Sequence, residues 1–120
     1  MKSDKRPQIM NLEIVQKADY TYQVQFLDEG VAEDISSFVV YFVIKEYRGD
    51  SDADAKLYKK ITNHYSSADG KSWIELDADD TDLTAGNYYY EISYTDEDGY
   101  SEVVFNGEFR VGKALLQTRT

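Results

Sequence analysis

The chain has 120 residues, no cysteine and a net charge of −10, so it reads as a single domain that folds without disulfide staples. Eleven acids and one base, Lys71, fall between residues 66 and 102, a density that repels a nucleic-acid backbone or an anionic lipid surface. No apolar run approaches the roughly 18 residues a membrane helix needs, and the basic start MKSDKRPQIM has no apolar stretch behind it. Neither nucleic-acid binding, nor a membrane span, nor a secretory signal is expected.

The basic start carries Lys2, Lys5 and Arg6, the chain's one basic cluster. It reads as an arm, residues 1–8, ahead of an ordered core of about 9–112. The first element is a short strand with Leu12 and Ile14 on one face. ADYTYQVQFLDEG follows, with Tyr20, Tyr22, Val24 and Phe26 on one face and Thr21, Gln23 and Gln25 on the other. That alternation is a half-buried strand ending in a turn at Asp28-Glu29-Gly30. SFVVYFVIKEY is apolar at both parities, Phe38, Val40, Phe42 and Ile44 against Val39, Tyr41 and Val43. Its β-branched and aromatic residues favour a central strand covered on both sides.

The next stretch, RGDSDADAK, contains the adhesion tripeptide Arg48-Gly49-Asp50 and aspartates at 50, 52 and 54. A calcium loop of that spacing needs Gly at its sixth position and a carboxylate at its twelfth. Counted from Asp50, those places hold Ala55 and Ile61, so a solvated turn is expected and no metal is required for folding. KLYKKIT and KSWIEL are shorter strands. GNYYYEISYT sets Tyr88, Tyr90, Ile92 and Tyr94 on one face, DEDG at 96–99 is a turn, and YSEVVFNGEFRV closes the set. Gly107 inside that last run marks a bulge or a close backbone approach. The tail, 113–120, carries Leu115 and Leu116 beyond the last strand.

Seven short strands at turn spacings of about 8–12 residues predict an all-β, immunoglobulin-like antiparallel β-sandwich of Greek-key topology. Val24, Phe26, Val40, Phe42, Tyr90 and Ile92 are its expected core. The search for chemistry finds one histidine, His64, which reads as a surface loop residue, and no set of zinc ligands. LDADDTD at 76–82 is a second acidic turn from which no carboxylate pair stands out. No enzymatic activity and no cofactor are expected.

The stretch DGKSWIELDADDTDLTAGNYYYEISYTDEDGYSEVVFNGEFRV, with DISSFVVYFVIKE upstream, resembles a known layout. Asp69-Gly70, the strand with Ile74 and Leu76, Leu83-Thr84-Ala85-Gly86 before Tyr88, Asp98-Gly99, and Gly107, Phe109 and Val111 carry it. It is similar to the N-terminal immunoglobulin-like domain of baseplate upper proteins in tailed phages of Gram-positive hosts, and to related tail, neck and head-fibre sandwiches. The Gly86-x-Tyr88 step resembles a tyrosine corner.

The resemblance implies a non-enzymatic virion component that acts by protein–protein assembly, located in the virion after synthesis in the host cytoplasm. Members of that family continue into a long fibre region, whereas eight residues follow the last strand here, so an adaptor, decoration or connector is the expectation. Expected partners are other virion proteins, with a homo-oligomer also open. Lys2, Lys5, Arg6, Leu115 and Leu116 are the candidate contacts. The alternative reading is a carbohydrate-binding or host-surface adhesion module, motivated by Trp73, Tyr41, Tyr58 and Tyr89, with a glycan as ligand.

Overall fold

A computed structural model describes residues 8–115. Ten strands build the fold: β1 (Gln8–Ile9), β2 (Leu12–Val15), β3 (Tyr20–Gln25), β4 (Leu27–Asp28), β5 (Val31–Ala32), β6 (Val39–Lys45), β7 (Leu57–Ile61), β8 (Lys71–Leu76), β9 (Gly86–Thr95) and β10 (Ser101–Gly112). The large sheet runs β1-β10-β9-β6-β7, with β2 also on β10; β3 and β8 pair as a second sheet. The chain passes from one sheet to the other after β2, before β6, after β7 and after β8. That is the Greek-key circuit of an immunoglobulin-like sandwich.

Seven of the ten strands are those the alternation predicts. The other three are two-residue strands too short to leave a periodic signal: β1, and the β4–β5 hairpin around Glu29 and Gly30. Both turn residues have positive φ, 52° and 82°, the backbone hand that lets a two-residue loop follow strand twist. The sheet is also not purely antiparallel, because β1 and β2 run parallel to β10.

Both sheets turn one parity of side chains inward. Val40, Phe42 and Ile44 of β6, Tyr88 to Tyr94 at even positions of β9, and Phe109 and Val111 of β10 meet Val24, Phe26, Ile74 and Leu76. All six expected core residues are buried. The opposite face of β6 departs from expectation. Val39, Tyr41 and Val43 are half-buried rather than covered. Ala114, expected in a free tail, is buried and its N–H donates to Gln16 Oε1 at 3.2 Å, so the ordered body extends past residue 112.

Local hydrogen bonds close the irregular places. The Tyr88 hydroxyl donates to the carbonyl of Thr84 at 2.5 Å, four residues upstream, the geometry of a tyrosine corner. His64 is not a free surface residue. Its Nε2 donates to the carbonyl of Phe38 and its Nδ1 meets the buried Ser72 hydroxyl, each at 2.8 Å, so it ties the entry of β6 to β8. The Tyr90 hydroxyl donates to the Met10 carbonyl at 2.5 Å, and a Cβ on Gly107 would clash with that same oxygen. Gly107 is therefore the close approach its position suggested.

Burial raises the pKa of Tyr22, Tyr88, Tyr90 and Tyr94, and Tyr90 is pushed up to about 12. A buried phenol keeps its proton in the fold and loses it near 10 when unfolded. The associated stability is thus fully present below pH 10 and is lost as pH rises toward 12. Melting temperature should fall steeply from pH 10 upward, and Tyr90→Phe should flatten part of that slope. A slope unaltered in the variant would place the alkaline sensitivity elsewhere.

Candidate interaction surface

The two outer edges of the large sheet are built differently. On β7, Leu57, Lys59 and Ile61 face inward, and the Lys59 ammonium meets Asp80 at 2.7 Å. An inward-pointing charge on an edge strand makes a poor template for another strand. Burial opposes the charge on Asp80, but Lys59 and the Asp77 backbone N–H together hold its carboxyl below the usual range. Asp77 and Asp80 also accept each other's backbone N–H, at 3.0 and 2.9 Å. The acidic LDADDTD stretch is thereby a self-bonded turn, anchored by the buried Thr81 hydroxyl between the N–H and C=O of Ala18.

Among the described residues, the β1–β2 edge carries no inward-pointing charge. The N–H groups of Met10 and Gln16 donate to Asn106 and Gly112 of β10, each at 2.9 Å. Within β2, alternation turns the backbone groups of Glu13 away from β10; between β1 and β2 the ladder is interrupted, and Asn11 Oδ1 accepts the Glu108 N–H at 3.0 Å. Tyr20 Oη takes the Val15 N–H at 2.8 Å and closes that end. Apolar side chains crowd this margin: Ile9 is 81% exposed, Leu115 is 102% exposed, and Met10 and Val15 are exposed as well. Because β1 and β2 run parallel to β10, Ile9 and Leu115 stand at opposite ends of the margin.

Of the contacts expected from sequence, Leu115 lies on this margin, fully exposed. Lys2, Lys5, Arg6 and Leu116 lie outside the described residues. Sequence reasoning missed Ile9, Met10 and Val15. Their signal was present: Ile9 and Val15 fall at the parity opposite to Leu12 and Ile14, apolar where the strand should be polar.

The Arg48 loop is exposed but not loose. The Arg48 guanidinium lies 4.3 Å from the centre of the Tyr89 ring, so it rests on the large sheet. Asp50 accepts the Tyr47 N–H, Asp52 pairs with Lys45 at 2.9 Å, and Asp54 accepts the Ser51 hydroxyl. Each carboxylate is thus turned to its own partner. Tyr41 and Tyr58 form a tilted pair 6.2 Å apart on the outer face of the same sheet. Trp73 does not join them. It stands on β8 in the other sheet, stacked on Tyr65 at 4.2 Å.

No family model and no curated protein matches this chain. Among solved structures, it is similar to the PmoD soluble domain from Methylocystis sp. ATCC 49242 (Rockwell), with a TM-score of 0.50 and 15% identity over 83% of this chain and 77% of that one. At that identity the likeness concerns the fold alone, and it agrees with the all-β sandwich.

Proposed function

We propose that this chain is a non-enzymatic structural component of a tailed-phage virion, an adaptor or decoration that acts by protein–protein assembly through the β1–β2 edge. The observation that carries the reading is the pairing of the outward backbone groups at Glu13 with exposed Ile9, Met10, Val15 and Leu115 on one strand margin. A partner strand added there gains main-chain hydrogen bonds and covers apolar surface in one step. The guarded β7 edge supports the same choice, since it leaves β1–β2 as the open end of the sheet. The net charge of −10 keeps the body soluble and opposes indiscriminate self-association. The phage assignment itself draws on the sequence resemblance.

Deleting residues 1–7, or separately 113–120, tests the proposal by incorporation into particles. The expected outcome is a domain that folds but fails to incorporate in at least one deletion. Normal copy number in both would move the contact away from this margin.

A further inference from the structure

The exposed face of the small sheet carries a feature that edge assembly does not use. We propose that Trp73 and the groove beside it form a binding site for a neutral pyranose oligosaccharide. Trp73 projects outward from β8 and remains 42% exposed, although a tryptophan has the most to gain from burial. Its orientation is fixed by its neighbours. Tyr65 stacks on the indole with ring centres 4.2 Å apart and planes 29° from parallel. The Tyr65 hydroxyl donates to Gln23 Oε1 at 2.8 Å, and Gln23 is the cross-strand partner of Trp73. The aromatic pair is thus a held platform rather than two free side chains.

The indole also walls a groove of about 290 Å³, with Lys60, Thr62, Asn63 and Glu75 around it. That volume is near the lower end for small-molecule sites and suits one or two sugar rings. The chemistry matches a pyranose. The axial C–H bonds of a sugar ring are weakly positive and pack on the electron-rich face of an indole. The ring's hydroxyls need donors and acceptors at its rim, which an amide, a carboxylate and an ammonium group supply.

Charge selects among ligands that stack. Lys59 is already paired with Asp80, and Lys60 and Glu75 offset each other. A nucleotide would also stack, but its phosphates would meet a chain of net charge −10 with no free excess of cations at the groove. A neutral sugar meets no such penalty.

Trp73 is the chain's one tryptophan, so its emission reports on this site alone. The full chain is titrated with chitotriose, cellotriose and maltotriose. A saturable change in emission with at least one of them is expected, with a dissociation constant on the order of 1 mM or tighter. Ligand-observed NMR then follows variants that lack the fluorophore, with circular dichroism confirming the fold. Trp73→Ala should weaken binding by about tenfold or more, Trp73→Phe should retain part of it, and Tyr58→Ala on the other sheet should leave it unchanged. Absence of a saturable response to all three sugars overturns the proposal. So does binding that survives Trp73→Ala, or that falls equally in Tyr58→Ala.

Discussion

Replacing Phe42 by alanine lowers the stability of the sandwich by about 3–5 kcal/mol. The ring is fully buried at the middle of β6, with Tyr90 and Phe109 at centroid distances of 6.0 and 6.2 Å. It therefore joins three neighbouring strands of the large sheet across one layer. Removing it leaves a cavity walled by strands that are hydrogen-bonded on both sides, which limits collapse into the space. Domains of this size hold about 5–15 kcal/mol in total, so the variant should unfold at much lower urea. Tyr58→Ala, on the exposed face of β7, is the control and should move stability by no more than about 1.5 kcal/mol, the scale of its pairing with Tyr41. A Phe42→Ala midpoint equal to that of the parent would show that β6 is not the centre of the core.

Gly70→Ala is comparably damaging, for a different reason. Gly70 has φ +73°, and a Cβ there would lie 2.5 Å from the carbonyl oxygen of Phe26 and 2.8 Å from that of Glu33. Both obstacles are backbone, so no side-chain rotation relieves the clash. Gly70 also accepts the Phe26 N–H at 2.7 Å, and the Phe26 carbonyl accepts the Glu33 N–H at 3.1 Å. The glycine is thus the point where the exit of β3, the segment after β5 and the start of β8 are drawn together. A left-handed alanine costs about 1–2 kcal/mol and the forced displacement another 1–3. Thermal unfolding should show a loss of several kcal/mol in total. Gly49→Ala serves as the comparison, because nothing lies within 4 Å of a Cβ there and its φ is not in the left-handed range. Equal effects of the two substitutions would contradict the close packing around residue 70.

Much of this fold is legible in the sequence, and the reason is periodicity. Tyr88, Tyr90, Ile92 and Tyr94 alternate with half-exposed residues because β9 has one buried face, and period 2 records that directly. The same logic failed for β6. An apolar residue at both parities reads as a strand covered twice, yet Val39, Tyr41 and Val43 remain half-exposed. Local pattern cannot tell a buried face from an apolar face that is open to solvent. Features set by contacts distant in sequence left no local trace. Gly70 reads as an ordinary turn glycine until Phe26 and Glu33 are brought against it. His64 reads as a loop residue until Phe38 and Ser72 meet its two nitrogens. Trp73 and Tyr65 are eight positions apart across a turn, and only the fold stacks them. The site was legible to a smaller degree. Leu115 stood out as an apolar residue past the last strand, whereas the margin formed by Ile9, Met10 and Val15 required knowing that β2 runs along an outer edge of β10.

The proposed assembly through this edge is measurable at single amides. In the isolated domain, alternation turns the N–H of Glu13 away from β10, while that of Gln16 is bonded to Gly112 of β10. Hydrogen–deuterium exchange of residues 9–15, compared between the free chain and the assembled particle, reads whether a strand is added there. The expected result is fast exchange at Glu13 in the free chain and strong protection of it in the particle, with Gln16 slow in each. Exchange at Glu13 that stays fast after incorporation would contradict strand addition at this edge.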